Sequence, residues 1–225
     1  MSFKVLSTSP TFGYYVPEPL DYLKAHGCTA DLFPQGKKIS QEELIQAIGE
    51  YDAAVVGIER ITASVLQASK KLRVIAKHGA GVDNIDVKAA SGGGIVVTSA
   101  PGTNSESVAD LTMGLFLSLA RRIPFADQSV RTGGWARLVG FQIFQKVLGI
   151  IGLGQIGKRV ARRALGFEMK VIAYDLFKDE AFAQQWGITY LSLDELLAAS
   201  DLISIHIPSI PSTRKMIGER ELLIS

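Results

Sequence analysis

The sequence predicts an α/β protein made of two parallel, doubly wound sheet units in tandem, and three observations carry that prediction. Short apolar runs rich in β-branched residues alternate with amphipathic stretches from end to end, the pattern of buried parallel strands joined by crossover helices. A glycine-rich turn, Gly152-Leu153-Gly154-Gln155-Ile156-Gly157, follows one of these runs directly and opens a helical stretch. The composition agrees: 225 residues, 47% hydrophobic and 20% charged, can bury substantial cores and are too apolar for disorder.

In the first unit the strand candidates are Lys4–Ser7, Thr29–Phe33, Ala53–Gly57, Val74–Lys77 and Ile95–Thr98. Between them, a helical segment from Pro17 to His26 is closed by Gly27. Ser40 and Glu43 form a capping box that opens Gln41–Ile48, and Gly49 stops that helix. Residues Ser105 to Arg122 read as one long helix, apolar on most faces and ended by Pro124. A helix buried on more than one side predicts a domain or subunit interface, so the boundary falls near Ser99–Pro101, giving units 1–99 and 100–225. A polar, glycine-bearing connection, Phe125 to Gly140, follows, with Trp135 and Phe141 as its expected anchors. The second alternation has strands at Lys146–Ile151, Lys170–Asp175, Ile188–Tyr190 and Leu202–Ile207. Its helices are Gln155–Leu165, about 179–186, and 193–199 behind a capping box of Ser192 and Glu195. Gly218 to Ser225 reads as the start of a helix that stops, leaving an uncovered sheet edge and predicting a longer protein.

Charge and ligand chemistry exclude several functions. A formal net charge of +2, with little difference between residues 1–100 and 101–225, gives no support to a nucleic-acid or polybasic membrane partner. One cysteine, Cys28, forms no internal disulfide, and no paired metal-ligand spacing exists, so no metal is expected. The most lipid-like stretch, Leu111 to Ala120, is about half the roughly 20 residues a spanning helix needs. No secretory signal pattern opens the chain, and a cytoplasmic location is expected.

Two loops carry the candidate chemistry. The Gly152–Gly157 turn sits between a strand and a helix, and Asp175 ends the next strand 18 residues after Gly157. In a dinucleotide site Gly152 permits the tight turn, Gly154 lets a pyrophosphate approach, and Gly157 lets the helix pack on the strand. Asp175 accepts from the ribose hydroxyls and repels a 2′-phosphate, and Leu176 supplies no arginine, so NAD is favoured over NADP, with Lys178 close by. The bland alternative is a tight turn that binds nothing. The second loop, Lys77 to Asn84, follows a strand at the sheet's carboxyl edge, where its N–H groups are placed to cradle a carboxylate. A strand-to-helix connection using Gly79 and Gly81 for backbone reasons explains it equally well.

Five segments together resemble one family: His78 to Asp86, Ala100 to Asp110 leading into the long helix, Arg122-Ile123-Pro124, Gly133-Gly134-Trp135, and Gly149 to Gly157. They are similar, in order and through essentially the whole chain, to the D-isomer-specific 2-hydroxyacid dehydrogenases of the phosphoglycerate dehydrogenase type. The resemblance implies a flavodoxin-like substrate domain, a Rossmann-type NAD-binding domain, a cleft between them, and a homodimer formed largely through the NAD-binding domain. It implies NAD as cofactor and a 2-hydroxy or 2-oxo acid as substrate. His78, Gly79, Ala80, Gly81, Val82 and Asn104 are implied at the substrate, with the Gly79–Val82 loop holding the carboxylate. Val108, Gly152, Gly154, Gln155, Ile156, Gly157, Asp175, Ile207 and Pro208 are implied at the cofactor.

The departures are specific. Where some phosphoglycerate dehydrogenases carry a substrate-binding arginine, this chain has Gly57, with Glu59 and Arg60 offset beside it, which argues against a phosphorylated substrate. Asp110 stands for the usual glutamate. The family's catalytic arginine, glutamate and histidine are expected beyond residue 225, so residues 1–225 alone are expected to be nearly inactive. Of the three histidines, His26 is expected at the surface, His206 in a structural or cofactor-adjacent role and His78 beside the substrate, none as the base. Cys28 is expected to be a small buried residue. Lys158, Arg159, Arg162 and Arg163 read as a solvated helix face. A competing function of another class is an NAD-sensing binding module on the same scaffold, or an inactive fragment.

Overall fold

The structure, a computed structural model, describes residues 2–33 and 39–224. The chain divides into two compact units, Met1–Thr103 and Asn104–Ser225.

The first unit alternates strand and helix: β1 (Phe3–Ser7), α1 (Glu18–Ala25), β2 (Cys28–Leu32), α2 (Gln41–Ile48), β3 (Ala53–Val56), α3 (Ala63–Ala68), β4 (Val74–Lys77), α4 (Val87–Gly92) and β5 (Val96–Thr98). All five strands run parallel in the order β2-β1-β3-β4-β5, the flavodoxin-like order, which places the topological switch point between β1 and β3. Leu6, Ala54, Val56 and Ile75 form a core with Leu44, Ile48, Val65, Leu66 and Ala90 from α2, α3 and α4. The capping box forms as expected: Glu43 N–H donates to Ser40 Oγ at 3.1 Å, and Ser40 N–H donates to Glu43 Oε2 at 2.8 Å.

The second unit holds α5 (Ser105–Ala120), α6 (Ile123–Arg131), β6 (Val147–Ile151), α7 (Gln155–Gly166), β7 (Lys170–Tyr174), α8 (Glu180–Trp186), β8 (Thr189–Tyr190), α9 (Leu193–Ala199), β9 (Leu202–Ile205) and α10 (Glu219–Ile224). Its parallel strands lie in the order β8-β7-β6-β9, so the chain reverses direction across the sheet at β6. Leu148, Ile150, Val160, Ala161, Ala164, Val171 and Ala173 make its core together with Ala109 and Met113 of α5. The terminal helical segment is α10; its expected last residue, Ser225, lies outside the described residues.

Four expectations need correction. The Phe125–Gly140 segment is not all connection, because α6 occupies Ile123–Arg131. Arg122 takes a left-handed conformation, φ 55°, which ends α5, and Pro124 falls in the first turn of α6, where its missing N–H costs nothing. Second, α5 buries one face only: Ser105, Ala109, Met113 and Ala120 are buried, while Leu111, Leu115 and Leu119 are 61–65% exposed. Third, Trp135 is 91% exposed and Phe141 is exposed, so neither anchors the connection.

The fourth concerns the basic residues of α7, which are paired. Arg159 donates to Glu106 Oε1 at 2.7 Å, and Arg163 donates to Glu106 Oε2 at 2.9 Å and to Asp110 Oδ1 at 2.6 Å. Arg163 and then Arg159 hold the Glu106 carboxyl below its ordinary range. Lys158 pairs with Asp179, and Arg162 lies over the Trp186 ring at 5.2 Å. The α7 face that looked solvated therefore joins α5 through carboxylates spaced four apart. Cys28 is half-buried at the start of β2 and His26 is exposed.

Candidate functional site

In the second unit the Gly152–Gly157 turn runs from the carboxyl end of β6 into α7. Gly152 adopts φ +96°, and a Cβ there would lie 2.8 Å from His206 O and from Ile207 Cγ2. At Gly157 a Cβ would collide with the Gly152 carbonyl oxygen. Both glycines are required by close packing inside the protein itself. Gly154 differs: nothing lies within 4 Å of its Cβ position. Gly154 and Gln155 are exposed at the N-terminus of a 12-residue helix, whose first-turn N–H groups point outward with the positive dipole end. That combination, two filled glycine positions and one open one at a helix start, fits a pyrophosphate.

The turn is tethered to β7. Gly152 N–H donates to Tyr174 O at 2.8 Å, and Leu153 N–H donates to Asp175 Oδ2 at 2.7 Å. Asp175 Oδ1 accepts from Phe177 N–H at 2.9 Å. Each carboxylate oxygen keeps a further lone-pair direction for a ribose hydroxyl. Ile156 is half-buried, and Gln155 Oε1 accepts from Arg159 at 2.9 Å. Val108 is half-buried on the first turn of α5, its N–H bonded to Asn104 O; Asn104 caps that helix, exposed, with no side-chain cap bond.

Beyond β9, His206 N–H donates to Ile151 O at 2.7 Å, which fixes Ile207 against the glycine turn. Pro208 is exposed, and its carbonyl accepts from Thr213 Oγ1 at 2.6 Å. His206 Nε2 and Ser204 Oγ are 2.7 Å apart, and burial pushes the imidazole pKa down.

In the first unit the Gly79–Val82 loop leaves the carboxyl end of β4. Gly79 takes φ +146° and spends its N–H on Lys77 O at 2.9 Å. Among the described residues, the N–H groups of Ala80, Gly81 and Val82 donate to no carbonyl or side chain. A clamp that sequence reasoning missed holds the loop. Lys77 Nζ donates to Asn84 Oδ1 at 2.8 Å and to Gly57 O, while Asn84 Nδ2 donates to Glu59 O at 2.5 Å and Gly57 O at 3.2 Å. Glu59 Oε2 in turn accepts from Gly57 N–H at 3.0 Å and Thr8 Oγ1 at 2.8 Å. His78 is exposed, and its Nδ1 lies 2.6 Å from Ser9 Oγ. The local pattern signals none of these partners, which lie 20 or more residues apart in the chain except for Lys77–Asn84 and Gly57–Glu59.

Residues 113–223 match the D-isomer specific 2-hydroxyacid dehydrogenase, NAD binding domain. The chain is 42% identical over 205 residues to D-3-phosphoglycerate dehydrogenase of Archaeoglobus fulgidus, covering 90% of this chain and 38% of that protein. It is 43% identical over 187 residues to hydroxypyruvate reductase of Thermotoga maritima, covering 82% and 60%. The crystal structure of D-lactate dehydrogenase from Aquifex aeolicus, complexed with NAD and lactic acid, matches with a TM-score of 0.81 and 29% identity, over 98% of this chain and 65% of that one. The chain thus spans less than two thirds of the length of each of these relatives. NAD is the cofactor of the matched domain, and the open Gly154, the free helix start and the tethered Asp175 fit it. Taken with the two parallel-sheet units, these matches mean that the chain belongs to the D-isomer-specific 2-hydroxyacid dehydrogenase family.

Proposed function

We propose that the protein interconverts a D-2-hydroxy acid and its 2-oxo acid with NAD. The observation that carries this reading is the contrast within one turn: Gly152 and Gly157 are closed by packing, Gly154 is open, and Asp175 fixes the turn through Leu153 N–H. In this reading Gly154, Gln155 and Ile156 meet the pyrophosphate, Asp175 binds the ribose, and Val108, Ile207 and Pro208 line the nicotinamide side. When bound, the cofactor supplies or accepts the hydride at the C2 carbon of the acid. Residues 1–99 and 100–225, close to the two compact units, serve as substrate-binding and NAD-binding domains. The N–H groups of Ala80, Gly81 and Val82 hold the carboxylate of the acid, with His78 at the start of the same loop, and Asn104 is a further substrate-binding residue.

Names among the relatives favour an enzyme over a non-catalytic NAD sensor. Gly57 stands where some phosphoglycerate dehydrogenases carry a substrate-binding arginine, and its N–H donates to the Glu59 carboxylate, which supports an unphosphorylated acid. A homodimer is part of the same proposal, supported by exposed Leu111, Leu115 and Leu119 on α5 and exposed Ile123 and Phe125 on α6. So is a cytoplasmic setting, supported by metabolic enzymes among the relatives.

The test is NADH oxidation by the intact gene product with glyoxylate, hydroxypyruvate, pyruvate and 3-phosphohydroxypyruvate, followed by chiral analysis of the products of the last three, glycolate being achiral. Turnover of at least one is expected, to the D-hydroxy acid wherever the product is chiral. NADH binding with no turnover of any would overturn the dehydrogenase reading and favour the sensor.

A further inference from the structure

The carboxyl ends of β1 and β4 carry a contact that no part of the reading above uses. Ser9 follows β1, is 7% exposed, and places its Oγ 2.6 Å from Nδ1 of His78, a residue 69 positions away. Thr11 Oγ1 lies 3.5 Å from the same Ser9 oxygen, and the Phe12 ring meets the His78 ring edge-on, centroids 5.9 Å apart at 82°. His78 Nε2 has no protein partner among the described residues, and the exposed side chain opens the loop that carries Ala80 to Val82. A Ser–His contact fixes which ring nitrogen is free to act, because the tautomer of a neutral imidazole is set by the bond its other nitrogen makes.

We propose that Ser9 is a positioning residue that donates to His78 Nδ1, so that Nε2–H is presented as a donor to an uncharged polar substituent on the acid, a hydroxyl rather than a methyl or a phosphoester. This rests on the dehydrogenase reading. Thr11 is placed to donate to Ser9 Oγ, which leaves the Ser9 proton for Nδ1, and Phe12 restrains the ring plane. A phosphoester is disfavoured at the same place. Lys77 directs its ammonium to Gly57 O and Asn84 Oδ1, and the Glu59 carboxylate lies between Thr8 and Gly57 at the neighbouring strand ends. A single donor held in place discriminates a hydroxyl from a methyl by the net worth of one hydrogen bond, about fivefold in KM.

The experiment uses the intact gene product with Ser9→Ala and Ser9→Thr variants and reads two independent signals. The first is the 15N spectrum of the His78 ring, assigned by its loss in His78→Asn. The second is the preference for hydroxypyruvate over pyruvate at saturating NADH. The proposal predicts Nδ1 unprotonated and Nε2 protonated in the parent, mixed tautomers in Ser9→Ala, and recovery in Ser9→Thr. The preference should fall about fivefold in Ser9→Ala, in KM more than in kcat, and return in Ser9→Thr. A parent ring protonated on Nδ1, an unchanged tautomer in Ser9→Ala, or an unchanged preference in an active variant would each overturn it. A parent that binds NADH but reduces only glyoxylate or 3-phosphohydroxypyruvate would overturn this inference alone, and one that reduces none of the four acids would overturn the dehydrogenase reading and this inference with it.

Discussion

Gly154 and Gly157 are three residues apart in one turn, yet alanine at each should fail in a different way. At Gly157 the new methyl group meets the Gly152 carbonyl oxygen, with Gly152 C at 3.1 Å and Ile150 Cγ2 at 3.2 Å. The oxygen and carbon are backbone, so α7 has to move off β6. Overpacking of this kind costs about 1–3 kcal/mol, or about 3–10 °C in Tm for a chain of this size. At Gly154 the methyl meets nothing within 4 Å and the backbone φ is −78°, which alanine adopts freely, so Tm should move by about 1 °C or less. Its effect falls on the ligand, because the methyl occupies the space through which a pyrophosphate reaches the helix N–H groups. Charge-assisted bonds there are worth about 1.5–3 kcal/mol, so NADH Kd should rise about 10- to 100-fold. Thermal melts and calorimetric NADH titrations of both variants decide the matter. A Gly154→Ala protein that binds NADH like the parent, or that loses as much Tm as Gly157→Ala, would refute the assignment of the open position to the cofactor.

Three further predictions follow from the same geometry. Asp175→Ala removes the acceptor for Leu153 and Phe177 N–H groups as well as the ribose contact, so NADH Kd should rise at least about 30-fold and the NADH-over-NADPH preference should shrink, measured by parallel titrations. Leu115→Asp places a charge on the exposed apolar face of α5, so a dimer seen by sedimentation in the parent should become monomeric, while far-UV circular dichroism stays unchanged. His206 has its pKa pushed below the ordinary 6.5 by burial, so the unfolded chain takes the proton first. Stability from this group is present above about pH 6.5 and lost as pH falls further; His206→Gln should flatten the decline of Tm between about pH 7 and pH 5.

What was legible in the sequence was local. The Gly152–Gly157 turn could be read because the apolar run before it, the amphipathic helix after it and Asp175 at the end of the next strand all lie within one βαβ unit. The capping boxes at Ser40 and Ser192 were legible for the same reason, each spanning four residues. The α6 helix was not, because a proline that closes one helix and a proline in the first turn of the next look alike until the φ of Arg122 is known. Apolar residues on α5 identified the helix but not which of them face inward; Met113 is buried and Leu115 is not. The clamp of Lys77, Asn84, Gly57 and Glu59, the Ser9–His78 contact, and the pairing of Arg163 with Glu106 and Asp110 join segments brought together only by the sheets and their helices. No pattern of spacing announces such partners, so basic residues that pair across helices read as a solvated face.

The measurement closest to the central claim is a calorimetric titration of the purified chain with NADH and, separately, NADPH. The account predicts saturable binding of NADH at one site per chain, tighter than NADPH because Asp175 repels a 2′-phosphate, and weakened by Gly154→Ala. No NADH binding by a folded chain, or equal affinity for the two nucleotides, would contradict it.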